Sequence, residues 1–168
     1  KEDYFLGISP EGIGFVGILL NFAVTAWGVS SAKIHEKDWW EATEFKNIQL
    51  TCTPAKHFSG RKFSNHKSTL WSSWVIKSKE ANIYFSGDSG YGKHFAKIGD
   101  SHGPFDLALV ECGQYNKMWP DNHMFPKESA KAGLDLKAKT MMPIHWGAFK
   151  LSMHAWTAPI QQIRKEAA

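Results

Sequence analysis

The sequence predicts an α/β fold, on two observations. Segments with the composition of strands alternate with helix-like segments along the chain, which is typical of a layered α/β sheet. No internal repeat, low-complexity stretch or linker divides the 168 residues, and this length is enough for one domain with a sizeable core. The hydrophobic fraction of 43% and the charged fraction of 21% are those of an ordinary globular domain.

Five segments have the composition of strands. Residues 47–53 are apolar and β-branched at their centre and stop at a proline, and the others are residues 69–77, 81–88, 105–112 and 139–144. The second and third segments are separated by the short polar stretch Ser-Lys-Glu. This spacing predicts a β-hairpin.

Three segments between and after these strands are predicted to be helical: residues 91–99, 126–138 and 157–167. We expect Gly99 to end the first helix, because glycine adopts the left-handed conformation of a helix C-terminus without strain. In the second helix, Pro126 suits the first turn, and the Glu128 carboxylate lies near the positive end of the helix dipole.

Candidate metal ligands follow three of the predicted strands. His57 lies in the loop after the first strand, Asp88 ends the third, and His145 ends the last. Ligands in α/β sheets gather beyond the strand ends, and imidazole with carboxylate suits Zn²⁺ or another first-row transition metal. Taken singly, each residue has a simpler explanation as a core histidine, a loop histidine or a turn aspartate. Their joint placement favours a metal site.

Two aromatic residues are candidates for contact with a substrate. Tyr115 and Trp119 lie in the loop that follows the fourth predicted strand, and loops near strand ends commonly carry binding residues. We expect the other tryptophans to be core or sheet-face residues.

Five stretches at or beside the strand ends carry a family resemblance: TPAKHFSGR, IYFSGDSGYG, GPFDLALVECGQYN, NHMFPKES and PIHWGAFKLSMHAW. Together they resemble the metallo-β-lactamase-fold hydrolases, in the branch that contains N-acyl-phosphatidylethanolamine-hydrolysing phospholipase D. The resemblance extends over roughly residues 24–160. It implies an αββα sandwich, of which this chain is roughly the C-terminal half.

The resemblance also implies roles for individual residues. His57 is a ligand of a first metal ion, Asp88 bridges two ions, and His145 is a ligand of the second ion. His123, in NHMFPKES, matches a histidine close to the reaction centre. The implied activity is that of a metal-dependent hydrolase, in which two divalent ions such as Zn²⁺ activate water to cleave a phosphodiester in a phospholipase D-like reaction.

Asp88 and His123 are then the catalytic residues. The two oxygens of the Asp88 carboxylate can each face one ion, and His123 can donate a proton to a substrate oxygen or to the leaving group. A packing or helix-capping role is the alternative for His123.

The sequence also departs from the family pattern. The leading ligand motif of the family, His-x-His-x-Asp-His, is absent, since none of the eight histidines forms a His-x-His pair. We therefore expect residues 1–168 to be one incomplete domain, the C-terminal part of a metallo-hydrolase domain, that holds its metal ions partially or not at all. The alternative is a catalytically inactive fragment or a binding module.

Charge and cysteine content indicate the partners and the compartment. The net charge is +4 with a pI near 9.0, and the lysines are scattered, so we expect no nucleic acid as a partner. The family resemblance implies instead a small-molecule or lipid-like ester substrate. Cys52 and Cys112 indicate buried thiols in a reducing compartment, the cytoplasm.

The apolar residues 12–28 are shorter than the roughly 20 residues of a spanning helix. They predict a buried strand–helix element, with peripheral membrane contact as the alternative. An incomplete domain would also expose a sheet face, which favours a homo-oligomer.

Overall fold

A six-stranded mixed sheet is the centre of the fold in the computed structural model, which describes residues 4–7, 34–58, 70–147 and 151–166. Two short strands outside this sheet, β1 (Tyr4–Gly7) and β2 (Ile34–Lys37), pair in parallel. The sheet itself follows the order of the chain: β3 (Ala42–Phe45), β4 (Ile48–Pro54), β5 (Ser72–Lys77), β6 (Asn82–Phe85), β7 (Leu107–Glu111) and β8 (Met141–Ile144). The apolar segment 12–28 lies outside the described residues.

Strand pairing changes from antiparallel to parallel at β6. The strands from β3 to β6 pair in antiparallel fashion, whereas β6, β7 and β8 are parallel. Parallel neighbours need a crossover connection, and the helices α1 (His94–His102) and α2 (Pro126–Asp135) lie in the two crossovers. A third helix, α3 (Ala158–Glu166), follows β8. The predicted α/β fold is therefore confirmed, and the five predicted strands and three predicted helices are found with ends shifted by at most three residues.

The strands β1, β2 and β3 were not predicted. The strands β3 and β4 form a hairpin whose two loop residues, Lys46 and Asn47, have φ angles of 49° and 65°. Two positive φ angles are typical of the type I′ turn, which matches the twist of the strands that it joins. Asn47 therefore belongs to this turn and not to the strand that was predicted to begin there.

One face of the sheet carries the hydrophobic core. Val75 on β5 pairs with Tyr84 on β6, and Tyr84 pairs with Ala108 on β7, so these side chains share a face. They pack with residues of α1 and α2 into a buried cluster that contains Val75, Tyr84, Phe95, Ile98, Phe105, Ala108, Val110, Met124, Ala132 and Leu136. Full burial of a large apolar side chain contributes about 1.5–3 kcal/mol, so this cluster fixes both crossover helices on the parallel strands.

The opposite face of the same strands is also apolar but less covered. Trp74 pairs with Phe85, and Phe85 pairs with Leu109. Trp74 and Leu109 are half-buried, while Phe85 is exposed. The strands therefore have apolar side chains on both faces, as is usual for a sheet that lies inside a layered fold.

The prediction that Gly99 ends the first helix is wrong. The helix α1 continues to His102, and the N–H of Gly103 still donates to the carbonyl of Gly99. Gly99 faces the end of α2 so closely that a Cβ atom there would lie 2.1 Å from the carbonyl oxygen of Asp135. Glycine is required at this position for helix packing and not for helix termination.

The second helix begins as predicted. Pro126 occupies the first turn of α2, and the Glu128 carboxylate accepts a hydrogen bond of 2.9 Å from the backbone N–H of Phe125. This interaction satisfies one of the donors that a helix N-terminus leaves free.

The two cysteines are buried and free. Burial raises the pKa of each thiol to about 12, so both are inert thiols of the interior. Within the described ranges, no helix is long and apolar enough to cross a membrane.

Candidate active site

A cavity of about 600 Å³ lies beside the ends of the sheet strands. Its walls combine four titratable side chains with apolar ones, which is a common composition for a ligand site. The described residues that line it are His57, Phe58, Asp88, Gln114, Trp119, Asn122, His123, His145 and Leu151. The four residues that the sequence analysis assigned to metal binding and catalysis therefore meet at one cavity.

His145 and Asp88 form the more open part of the site. The two side chains are 35% and 32% exposed, and the Nδ1 atom of His145 lies 3.4 Å from the Oδ1 atom of Asp88. His145 has a φ angle of 63°, a conformation that is uncommon for residues other than glycine. The chain thus leaves β8 by a left-handed turn at His145, and such outliers cluster at functional sites.

Gly113 allows the loop after β7 to reach His145. A Cβ atom on Gly113 would lie 2.0 Å from the carbonyl oxygen of His145, which no side chain tolerates. The backbones of the two loops are therefore in direct contact. This contact holds the end of β8 next to the loop that contributes the other cavity residues.

His57 and His123 form the more enclosed part of the site. The His57 ring stacks on Trp71, with 4.4 Å between the ring centroids, and its Nδ1 atom lies 3.0 Å from the carbonyl oxygen of Phe58. The His123 ring is 5.2 Å from the ring of His57 and also 5.2 Å from that of His145. Burial lowers the pKa of both His57 and His123, so both rings are neutral at neutral pH.

Glu111 is a site residue that the sequence analysis did not identify. It is the last residue of β7, is fully buried, and places its Oε2 atom 3.5 Å from the Nδ1 atom of His123. Burial raises its pKa to about 8, although hydrogen bonds from the N–H groups of Met124 and Gly113 oppose the shift. The available signal was an acidic residue that ends the apolar strand LALVE, because a buried carboxyl group is rare without a partner.

Gln114 connects the two sides of the cavity rim. Its side-chain oxygen accepts hydrogen bonds of 2.9 Å from the N–H groups of Leu151 and Ser152. Its carbonyl oxygen accepts one of 2.8 Å from the indole of Trp119, and its own N–H donates to the Nε2 atom of His154 at 2.9 Å. The walls formed by Trp119 and Leu151 are therefore held in place by one buried residue.

The two aromatic candidates lie in different places. Trp119 is half-buried and lines the cavity. Tyr115 is buried behind the rim, where its ring stacks on His154 and its hydroxyl donates to the Gln162 side chain at 3.2 Å. Tyr115 is not among the described residues that line the cavity.

The predicted ligands come near one another without forming a complete metal site. Asp88 and His145 are in contact, and His57 lies on the same cavity wall. In the ranges that the structure describes, no group of three or more His, Cys, Asp or Glu side chains is arranged to hold a metal ion.

Comparison with known proteins gives the class to which this fold and site belong. The sequence-family model of the beta-lactamase superfamily domain matches residues 19–146 of this chain, so the chain belongs to this family. Its sheet and helices are accordingly part of a metallo-β-lactamase sandwich. Among solved structures, the metallo hydrolase Igni18 of Ignicoccus hospitalis has a TM-score of 0.66 at 17% identity and matches 96% of this chain and 60% of that one.

Two relatives show where in the family the chain lies. An uncharacterized protein of Mycobacterium tuberculosis is 43% identical over 141 residues, which are 82% of this chain and 38% of that protein. N-acyl-phosphatidylethanolamine-hydrolyzing phospholipase D 1 of Caenorhabditis elegans is 35% identical over 128 residues, 72% of this chain and 36% of that protein. The predicted resemblance to this branch is confirmed, and the chain spans less than half the length of either relative.

Proposed function

We propose that the chain carries part of the active site of a metal-dependent hydrolase that cleaves phosphodiesters in a phospholipase D-like reaction. The observation that carries this proposal is the contact between Asp88 and His145 at a cavity that His57 and His123 also line. The similarity to the Caenorhabditis elegans phospholipase supports the substrate class.

The donor set at the cavity fits divalent metal ions. Imidazole nitrogens and a carboxylate are the ligands that Zn²⁺ prefers when a site lacks cysteine. Asp88 and His145 would hold one ion together, and His57 would contribute to the other. Bound ions would polarise the phosphoryl group and lower the pKa of a coordinated water.

A two-ion site needs more donors than these three residues. The sequence contains no His-x-His pair, and the described residues form no complete metal cluster. We propose that the remaining ligands come from polypeptide beyond these 168 residues or from a second copy of the chain.

His123 is the proposed proton carrier. Its ring lies between those of His57 and His145, and its lowered pKa keeps it neutral and able to accept a proton. It would take a proton from the attacking water and pass it to the leaving oxygen.

The apolar side of the cavity would receive the substituent of the phosphodiester. Trp119, Leu151 and Phe58 line it, and Gln114 fixes the first two of them. This arrangement suits an ester with an apolar group, such as a lipid-like substrate. For Tyr115 we propose a contribution through the position of His154, on which its ring stacks.

A second candidate function is binding without catalysis. The missing His-x-His-x-Asp-His motif favours it, since Asp88, His145 and His57 alone would hold metal weakly. Such a chain would bind a phosphate ester at the cavity and leave it intact.

The test is hydrolysis of bis(p-nitrophenyl) phosphate by the metal-free chain with added Zn²⁺, with p-nitrophenyl acetate as the carboxylic ester for comparison. We expect slow Zn²⁺-dependent cleavage of the phosphodiester, because the three ligands of this chain alone hold metal weakly, and a further loss of about a hundredfold or more in D88N. The matched control is D100N, because Asp100 is exposed and pairs with Lys137 away from the cavity. Binding of the phosphodiester without turnover would favour the second candidate, and equal activity of D88N and the wild type would exclude Asp88 as a ligand.

A further inference from the structure

Glu111 is held in one position by interactions on both of its carboxylate oxygens. Its Oε1 atom accepts a hydrogen bond of 2.5 Å from the N–H of Met124, and its Oε2 atom accepts one of 3.3 Å from the N–H of Gly113. The backbone of Glu111 is fixed as well, because its N–H donates to Ser86 and its carbonyl accepts from Ser129. A fully buried carboxyl group with this many contacts has little freedom to move.

One ring nitrogen of His123 lies near the Glu111 carboxylate but forms no hydrogen bond with it. Its Nδ1 atom is buried and forms no hydrogen bond among the described residues, and it lies 3.5 Å from the Oε2 atom of Glu111. An unsatisfied buried polar atom costs about 1–3 kcal/mol. A small shift of either side chain would convert this approach into a hydrogen bond and remove that cost.

We propose that Glu111, in its ionised form, is a positioning residue that holds His123 with the Nδ1–H group towards its carboxylate and with Nε2 available to the cavity. Nδ1 and Nε2 lie on opposite sides of the imidazole ring, so the nitrogen that does not face Glu111 is the one that can face the ligand. In the neutral ring with a proton on Nδ1, Nε2 is a hydrogen-bond acceptor. The hydrogen-bond partner of one ring nitrogen thus decides the chemistry of the other.

The consequence for the reaction rests on the proposed function. When Glu111 is ionised, Nε2 of His123 takes one proton from the attacking water, and the resulting imidazolium lies beside the Glu111 carboxylate, which stabilises its charge. The same proton then leaves Nε2 for the oxygen of the leaving group, and His123 returns to its neutral form. Glu111 itself contacts neither water nor substrate.

The test is the tautomeric state of His123 in the metal-free 168-residue chain, measured by long-range ¹⁵N–¹H correlation NMR with ¹⁵N-labelled histidine. Spectra are recorded at about pH 9, where Glu111 is ionised because its pKa is about 8. The signals of His123 are assigned by their loss in H123N. We expect the proton on Nδ1, and a proton on Nε2 would overturn the proposal.

The variant E111Q makes the test sharper. The amide oxygen is expected to stay at the Met124 N–H, which leaves the amide nitrogen to donate towards Nδ1 of His123. The proton of His123 then moves to Nε2, which inverts the two ¹⁵N shifts. An unchanged tautomer in folded E111Q would contradict the proposal.

The control is E128Q, the same substitution at a carboxylate that caps α2 through the N–H of Phe125. It should leave the His123 spectrum unchanged. Because the readout needs neither metal nor turnover, the proposed hydrolase function can fail without affecting it. If E111Q does not fold, the tautomer of the wild type still decides the question.

Discussion

Two carboxylate–histidine pairs lie beside the ends of the parallel strands, and they differ mainly in burial. Asp88 and His145 approach to 3.4 Å with about a third of each side chain exposed. Glu111 and His123 approach to 3.5 Å with side chains that are 0% and 7% exposed. The residue types and distances are nearly the same, so the difference in environment decides what each pair can do.

The exposed pair can exchange water for a ligand, whereas the buried pair cannot. A carboxylate open to the cavity keeps its solvation and is free to coordinate a cation. A carboxylate without solvent is costly unless backbone groups and a partner satisfy it, and those same contacts fix its position. This difference fits the roles proposed above, in which Asp88 and His145 bind a metal ion and Glu111 orients His123.

The largest expected effect concerns stability and separates the two pairs directly. E111A removes the acceptor for the N–H groups of Met124 and Gly113, and we expect the free energy of unfolding to fall by about 3 kcal/mol. D88A removes one member of an exposed pair and should cost less than about 0.5 kcal/mol. Urea denaturation of the metal-free variants measures both, and equal losses would show that burial does not distinguish the pairs.

The second effect is the pH dependence of stability. The folded chain keeps the Glu111 proton up to a pKa of about 8, whereas the ordinary value is 4.5. Between these values only the folded state binds the proton, so the free energy of unfolding decreases as the pH rises, by at most about 1.4 kcal/mol per pH unit. E111Q cannot ionise and should lose this part of the slope, which denaturation from about pH 5 to 8 will measure. Identical slopes in both proteins would mean that Glu111 is not the group responsible.

The smallest effect tests the rim that encloses both pairs. H154A removes the acceptor for the Gln114 N–H and the ring that stacks on Tyr115, and we expect a loss of about 1 kcal/mol in the free energy of unfolding. The neighbouring M153A is the control, since Met153 is 83% exposed. A loss as small as that of M153A would mean that His154 does not stabilise the rim.

The sequence predicted the strands and helices well where local composition determines them. The β-branched and aromatic segments became β4 to β8 because they can be buried on a sheet. The hairpin turn at Lys46 and Asn47 was missed because these residues lack the Asn-Gly or Asp-Gly signal of most such turns. Gly99 was misjudged because its reason is the approach of α2, a tertiary contact that no local pattern contains.

The site was predictable in part. The placement of His57, Asp88 and His145 after strands predicted that they lie together, and all three line the cavity, whereas His123 was named through the family resemblance. That the site holds metal stays a prediction. Glu111 was missed because its burial and its approach to His123 depend on a residue 12 positions further along the chain. An acidic residue at a strand end looks the same in the sequence whether its side chain is buried against a partner or exposed to solvent.

The most direct test of the proposed metal-binding pair is the affinity of the metal-free chain for Zn²⁺. It is measured by titration calorimetry on the wild type, D88N, E111Q and D100N. We predict that the wild type binds Zn²⁺ weakly, because it supplies only part of the ligand set, that D88N binds it at least about tenfold more weakly still, and that D100N equals the wild type. E111Q should stay closer to the wild type than D88N, because Glu111 orients His123 and holds no ion. The absence of Zn²⁺ binding by the wild type, or equal affinities of D88N and the wild type, would contradict the assignment of Asp88 and His145 as the metal-binding pair.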